Sequence, residues 1–280
     1  MLCWMNGEYM EQHQLRISPF DHGFLYGAGF FETFRTYNGK LFLFEAHMAR
    51  LQEALNHFRI VMPYSKEDIY EVVQTLDKAA GYTDGYFRLN VSAGVHDIGL
   101  APDAYTEPNV IVFRKALPPV SRGATKAGVF LHTPRRAPET SKRYKSHHFL
   151  NNIDGRFELP SLKAHEGIFL TEEGFIAEGV TSNVFWVTDH CLYTPSEETG
   201  ILMGTTRQFI IQLAGDIGLE VAEGLFQKED LLKADEVFVT NAVQEMVPLH
   251  AIEDTLFSGN KGVYYNALHT KYQQAIKEGR

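Results

Sequence analysis

The sequence predicts a mixed α/β (α+β) chain of two domains, a small N-terminal one and a larger C-terminal one. Three observations lead there. Short strand-like runs alternate with stretches of helical periodicity along the whole length. One Pro- and Gly-bearing break, Ala116 to Gly123 (Ala-Leu-Pro-Pro-Val-Ser-Arg-Gly), interrupts the alternation. No internal repeat, low-complexity tract or heptad run is present. The expected division is therefore 1–116, a linker over 117–124, and 125–280, and 280 residues suffice to bury two cores.

Taken in order, Leu2 to Met5 and Glu8 to Met10 flank Asn6-Gly7, a strong hairpin signal. Phe30 to Tyr37, Asn38-Gly39 and Leu41 to Phe44 read as a second hairpin. Glu45 to Phe58 has apolar residues at Ala46, Ala49, Leu51, Ala54, Leu55 and Phe58, a helical spacing. Ser65 to Ala80 reads as a second helix, with Ser65 as N-cap and Asp68 three residues on. Tyr86 to Ala93 and Asn109 to Arg114 are strands. Beyond the break, strands are expected at Gly128 to Thr133, Gly167 to Leu170, Val184 to Val187, Cys191 to Tyr193 and Val237 to Thr240. Helices are expected at Thr205 to Gly215, Lys228 to Leu232 and Asn266 to Lys277.

Hydrophobic content of 44% and charged content of 22% fit a globular chain. The formal net charge of −9 excludes an extended basic face for nucleic acid, though not a local basic pocket for a small anion. No apolar run is long enough to span a membrane, and the first 14 residues lack a basic start followed by an apolar stretch, so no secretory signal is expected. Cys3 and Cys191 form no metal or redox spacing, and the expected location is cytoplasmic, with both thiols reduced.

Four segments could carry chemistry, and each has a plainer reading. Lys145 lies in Arg143-Tyr144-Lys145-Ser146-His147-His148-Phe149-Leu150-Asn151-Asn152, a crowded polar stretch between an irregular Pro/Arg-rich region and a helix. A nucleophilic lysine needs partial desolvation, whereas a lone lysine reads as a solvated charge. His147 and His148 read as helix surface or polar core, since neighbours in sequence face apart on a helix and share no metal. Glu178-Gly179-Val180-Thr181-Ser182-Asn183 offers close backbone approach, hydrogen-bond donors and a carboxylate that could keep a pyridine nitrogen protonated; it also reads as a turn before a strand. Gly204-Thr205-Thr206-Arg207 opens a helix, which suits either a phosphate or an ordinary Thr cap. His47-x-x-Arg50 reads as an inward phosphate clamp or as a solvated helix face. Neither a P-loop nor a dinucleotide glycine pattern is present.

The ordered set of segments resembles the class IV aminotransferase family, the fold-type IV pyridoxal-5′-phosphate (PLP) enzymes. The resemblance runs from Asn6-Gly7 through Asp21-His22-Gly23-Phe24-Leu25-Tyr26-Gly27, Phe31-Glu32-Thr33-Phe34-Arg35 and His47-Met48-Ala49-Arg50-Leu51. It continues at Lys145-Ser146, Glu178-Gly179 with Ser182-Asn183, Gly204-Thr205-Thr206-Arg207 and Thr240-Asn241-Ala242-Val243-Gln244-Glu245. It implies PLP as cofactor, held by Lys145 as a Schiff base, with Lys145 also moving protons. It implies Glu178 at the pyridine nitrogen, with Ser182 and Asn183 near the cofactor. It gives the phosphate to Arg50, Gly204, Thr205, Thr206, Asn241 and the backbone at Ala242. It further implies a small-molecule substrate and a homodimer with the active site between two domains, without metal, nucleic-acid or membrane partners.

Within the family, D-amino acid aminotransferases carry a Tyr where this chain has Phe31, and an Arg-x-His pair absent from Arg88-Leu89-Asn90-Val91-Ser92-Ala93-Gly94-Val95-His96. Branched-chain aminotransferases also carry Phe at the first position and an Arg on the strand. The stretches Lys145 to Asn152, Arg88 to Gly94 and Ser18 to Gly27 look most like the aminodeoxychorismate lyases of Gram-positive bacteria. That resemblance implies elimination of pyruvate to give 4-aminobenzoate, with Arg88, Phe31 and Thr33 toward the substrate. Arg88 also reads as a structural arginine paired to an acid. The alternatives are an aminotransferase on the same scaffold and a non-catalytic binding protein that keeps the fold.

Overall fold

A computed structural model of the protein describes residues 1–81, 83–100, 103–117 and 123–279. The chain divides into two units, one formed by Met1–Pro119, Tyr144–His148 and Gly279–Arg280, the other by Val120–Arg143 and Phe149–Glu278. The expected linker over 117–124 lies largely outside the described residues.

The first unit holds strands β1 (Leu2–Met5), β2 (Glu8–Glu11), β3 (Gly29–Tyr37), β4 (Lys40–Leu41), β5 (Gly85–Ser92) and β6 (Asn109–Ala116). They form one antiparallel sheet in the order β2-β1-β6-β5-β3-β4. The β1–β2 hairpin turns at Asn6 and Gly7, both at positive φ, as the Asn-Gly pair requires. Helix α1 (His22–Leu25) is a single turn capped by Asp21; it carries too few residues for a periodic signal, and the sequence does not predict it.

Helices α2 (Phe44–His57) and α3 (Lys66–Ala79) cover one face of this sheet. In α2 the residues Phe44, His47, Leu51, Ala54 and Leu55 are buried, one stripe of a helix. α3 begins with a reciprocal capping box between Ser65 and Asp68, as its sequence predicts. The stripes meet Phe30, Phe34, Phe87, Leu89 and Val91 from β3 and β5. The second expected hairpin is shorter than its sequence suggests. β4 stops at Leu41, because Leu43 turns into the left-handed region at φ 55 and starts α2.

The second unit holds β7 (Lys126–Phe130), α4 (Leu150–Phe157), β8 (His165–Leu170), β9 (Ile176–Gly179), β10 (Asn183–Thr188), β11 (Cys191–Pro195), α5 (Thr205–Asp216), β12 (Glu220–Gly224), α6 (Lys228–Leu232), β13 (Glu236–Asn241), β14 (Glu245–Ile252), β15 (Thr255–Leu256) and α7 (Val263–Glu278). Its mixed sheet runs β12-β11-β10-β13-β14-β7-β8-β9, with β15 on β14. Trp186, Val237, Val239, Leu249 and Ile252 anchor its core. β14 is hidden in the sequence because Pro248 interrupts its pattern. Pro248 is tolerated there because pairing with β7 starts one residue later, at Leu249.

Both oxygens of buried Glu236 accept the first N–H groups of α7, from Tyr264 at 3.0 Å and Tyr265 at 2.7 Å. Removing that cap leaves two donors without an acceptor. Glu236→Ala is therefore expected to lower unfolding stability by about 1–2 kcal/mol in a urea titration.

One assignment of the sequence changes. The expected boundary puts Lys145 in the C-terminal domain, but Tyr144–His148 belongs to the first unit. The cause is an open sheet edge. β4 pairs only with Thr36 and Tyr37, leaving the start of β3 uncovered on that side. The segment fills it: Phe31 N–H donates to Lys145 O at 2.9 Å, His147 N–H donates to Gly29 O at 2.9 Å, and Phe30 bridges Ser146. Tyr144 then packs edge-on against Phe30 and Phe58.

Candidate active site

The candidate residues fall into two groups, one in each unit. In the first unit, the register pairs Phe31 with Asn90 and Thr33 with Arg88, so all four side chains rise from one face of the sheet. The opposite face is the one packed on α2 and α3. The Arg88 guanidinium lies 3.6 Å from the centroid of the Phe31 ring, and its Nη2 donates to Asn90 Oδ1 at 3.3 Å. Among the described residues no carboxylate pairs with Arg88. Burial holds its pKa below the usual arginine value. The structural alternative, an arginine tied to an acid, is thus not what the strand contains. Lys145, at the sheet edge, places Nζ 4.6 Å from the same ring centroid. Phe31 itself is buried under these two cations.

Behind this face, Glu32 is fully buried and binds two partners from α2. Arg50 donates from Nε to Oε1 and from Nη2 to Oε2, both at 2.7 Å, and His47 Nδ1 meets Oε2 at 2.7 Å. Here the structure departs from the solvated helix face: His47 and Arg50, three residues apart, both turn inward. Glu32 accepts two of the five N–H groups of Arg50. Burial alone would raise the Glu32 carboxyl, but Arg50 and then His47 outweigh it and bring its pKa down to about 2. Burial lowers the His47 pKa, against the pull of Glu32 and with the repulsion of Arg50 and Lys145.

A pH prediction follows from that carboxylate. Its native pKa is depressed, so its contribution is complete above about 4.5 and is lost as pH falls towards about 2. Glu32→Gln removes the negative charge that balances Arg50 inside the fold and is expected to cost about 3–5 kcal/mol at pH 7. In parallel urea titrations, the gap between wild type and variant is expected to shrink as pH drops from about 4.5 towards 2.

In the second unit, Glu178 on β9 is buried between arginines. Its Oε1 accepts from Arg135 Nε at 2.8 Å and Nη2 at 2.7 Å, with Arg143 Nε 3.8 Å away. Its Oε2 accepts one bond, from the Leu202 N–H at 3.0 Å, and retains capacity for another donor. Burial and the nearby Arg135 push the Arg143 pKa down to about 10, while Glu178 pulls it back up. The Asn183 amide donates to Leu202 O at 2.9 Å. Ser182 Oγ donates to Glu166 Oε1 at 2.8 Å; Glu166 is paired in turn with Lys126 at 3.1 Å.

Gly204 is the N-cap of α5, a position with no side chain to cap that end. A Cβ on Gly204 would come within 2.2 Å of Asn183 Oδ1, so only glycine permits this approach. Thr205 and Thr206 are buried in the first turn, and Thr206 Oγ1 is buried without a hydrogen-bond partner among the described residues. Thr240 Oγ1, at the end of β13, is likewise buried without one. Beside it, Asn241 Oδ1 accepts the N–H groups of Val243 at 3.0 Å and Gln244 at 2.7 Å, so its side chain shapes the turn that contains Ala242. This unit therefore offers a carboxylate for a protonated ring nitrogen, and an uncapped helix start with the orphaned Thr206 hydroxyl for an anion.

Sequence reading misses Glu32, Asn90, Arg135, Arg143 and His147. Glu32 has a signal, since a carboxylate inside the apolar run Phe30 to Phe34 demands a cation. The Arg135 and Arg143 contacts with Glu178 have none, because they join residues 35 or more positions apart. Among the described residues no helix is long and apolar enough to cross a membrane, and no cluster of His, Cys, Asp or Glu could hold a metal ion.

Comparison with known proteins places this arrangement. The amino-transferase class IV family profile matches residues 29–252. The aminodeoxychorismate lyase of Bacillus subtilis (strain 168) is 46% identical over 278 residues, covering 99% of this chain and 95% of that protein. The D-alanine aminotransferase of Bacillus licheniformis is 30% identical, covering 99% of this chain and 97% of its own. A branched-chain amino acid aminotransferase from T.th., solved with pyridoxamine 5′-phosphate, superposes with a TM-score of 0.88 at 26% identity, covering 100% of this chain and 95% of its own. By the extent of the profile match and by identity along nearly its whole length, the chain belongs to the amino-transferase class IV family.

Proposed function

We propose that this protein is a PLP-dependent lyase that releases pyruvate from 4-amino-4-deoxychorismate and yields 4-aminobenzoate, a step of folate biosynthesis. The observation that carries the lyase reading is the 46% identity, over 99% of the chain, to the lyase of Bacillus subtilis. The residues present fit the cofactor. Glu178 Oε2 has room for a donor, and the orphaned Thr206 and Thr240 hydroxyls stand where a phosphorylated ligand needs partners. On this reading the α5 start at Gly204, Thr205 and Thr206 holds the phosphate, with the backbone at Ala242 in the turn that Asn241 shapes. Arg50 keeps the phosphate role that the family resemblance gives it. Ser182 and Asn183 follow the turn after β9, the strand that carries Glu178, and lie near the cofactor. PLP, when bound, supplies an electron sink for charge developing at the amine-bearing carbon.

The chain's own residues supply the rest. Lys145 would hold the cofactor covalently through Nζ, and its amine would be free once substrate is bound. It then takes the proton from the amine-bearing carbon. Glu178 keeps a proton on the ring nitrogen. Arg88, which has no acid to pair with among the described residues, binds a substrate carboxylate, and Phe31 and Thr33 line the same face. The bond from the substrate ring to the side-chain oxygen breaks, the side chain leaves as the enolate of pyruvate and takes up one proton in place of the one that Lys145 removed, and the ring becomes aromatic. The family resemblance supports a homodimer, and the free thiols of Cys3 and Cys191 support a reducing, cytoplasmic location.

The second reading, a transaminase, is favoured by the 30% identity to a D-alanine aminotransferase. Both share the proton abstraction by Lys145 and differ in the fate of the electrons. Turnover of 4-amino-4-deoxychorismate is compared with that of D-alanine or L-leucine plus 2-oxoglutarate. The lyase reading predicts the first reaction to dominate, and faster amino transfer would overturn it.

A further inference from the structure

We propose that His147 is a positioning residue for Arg88: the imidazole and the guanidinium share one acceptor, Asn90 Oδ1, and this shared acceptor holds Arg88 over the Phe31 ring to meet a substrate carboxylate. The identity of the substrate rests on the lyase reading above; the positioning does not.

Arg88 is a long side chain without an ion-pair partner among the described residues, so its place depends on weak contacts. One is the Phe31 ring, 3.6 Å away, and the other is the 3.3 Å bond to Asn90 Oδ1. An asparagine amide can rotate by half a turn and present its NH2 instead, which would repel the guanidinium. His147 decides between the two orientations. Arg88 can only donate, so the atom it meets is the oxygen; His147 Nε2 stands 2.9 Å from that Oδ1 and, by donating to it, holds the amide in this orientation. The imidazole must then carry its proton on Nε2.

His147 is itself fixed. Its N–H donates to Gly29 O at 2.9 Å, and its ring fills the space over Gly29, where a Cβ would lie 2.2 Å from Cε1. Only glycine at position 29 leaves that space for the ring. Burial, and then the Arg88 charge, push the imidazole pKa down to about 4, so at neutral pH His147 donates without adding a second cation beside Arg88. Because Phe31 faces Asn90 in the strand register, ring, amide, guanidinium and imidazole form one connected set.

The test uses the holoenzyme of wild type, His147→Leu, His147→Gln, Asn90→Ala, Arg88→Ala and the double variant His147→Leu/Arg88→Ala. Steady-state kinetics with 4-amino-4-deoxychorismate and calorimetric binding of 4-aminobenzoate are both read. His147→Leu and Asn90→Ala are expected to raise KM and the 4-aminobenzoate Kd about tenfold, one bond's worth of affinity, with kcat within about twofold. His147→Gln places an amide NH2 where Nε2 was and is expected to recover most of that loss. In the Arg88→Ala background, His147→Leu is expected to change nothing further. An unchanged KM and Kd in both His147→Leu and Asn90→Ala would overturn the proposal. So would a full additional loss once Arg88 is gone; a wild type without affinity for 4-aminobenzoate sinks the lyase reading instead, and the same variants are then compared by their Kd for 2-oxoglutarate, where unchanged values overturn the positioning. Should His147→Leu fail to fold, Asn90→Ala and the Gln variant decide. The binding arm needs no turnover, so a wild type that binds 4-aminobenzoate but forms no product sinks the lyase reading and leaves the positioning test intact.

Discussion

Lys145→Ala is expected to form neither 4-aminobenzoate nor pyruvate above the rate without protein. Two functions end together, the covalent hold on the cofactor and the removal of the proton from the amine-bearing carbon. General acid–base transfer alone is worth about 10²–10⁴ in rate, so the loss should be at least that large. The fold should survive, because the segment is tied to β3 through backbone bonds from Phe31 N–H and to Gly29 O, which alanine keeps. An independent sign is available. Lys145 helps hold the His47 pKa down, so the variant should titrate His47 higher, as followed by NMR. Retained turnover would remove Lys145 from the mechanism.

The second large effect is expected at Glu178. Glu178→Gln keeps the shape and can still accept from the Leu202 N–H. What it removes is the negative charge between Arg135 and Arg143 and at the ring nitrogen of the cofactor. Loss of a placed electrostatic partner of this kind typically costs about 10²–10³ in kcat. Stability should fall as well, by about 3–5 kcal/mol, because Arg135 is buried and loses the carboxylate that balances it. The pKa of Arg143, raised by Glu178 in the wild type, should move further below about 10. Kinetics and urea unfolding of the same preparation read both effects. A variant with full kcat would show that Glu178 only pairs with Arg135.

Much of the architecture was legible because strong local signals coincide with tertiary need. Asn6-Gly7, the Ser65/Asp68 box and the apolar stripe of α2 each specify a turn, a start or a face without reference to the rest of the chain. Elements without such signals are hidden. β14 is disguised by Pro248, and α1 is a single turn held by Asp21. The segment around Lys145 leaves the order of the sequence altogether. It is recruited to the first unit by an open edge of β3, and no local pattern announces an edge.

The candidate site divides the same way. Lys145, Glu178, Gly204 and Thr205-Thr206 stand out as motifs in a family order, which is information carried by the sequence. Their supporting residues do not. Asn90 matters because register puts it opposite Phe31, and His147 because residue 29 is a glycine. Arg50 reads in the sequence as facing a phosphate or solvent; the structure adds Glu32, whose charge it balances. Ser182 is expected beside the cofactor, and the structure adds Glu166, to which its hydroxyl donates. Each of these relations is a distance between strands or loops, which spacing along the chain does not encode.

The central claim is that this chain eliminates pyruvate from 4-amino-4-deoxychorismate. The most direct measurement generates that substrate in place from chorismate and ammonia with a separate synthase, adds the purified holoenzyme, and follows both products with time. The account predicts 4-aminobenzoate and pyruvate in equal amounts, dependent on PLP. A protein that shows the visible absorbance of bound PLP yet releases neither product would contradict it.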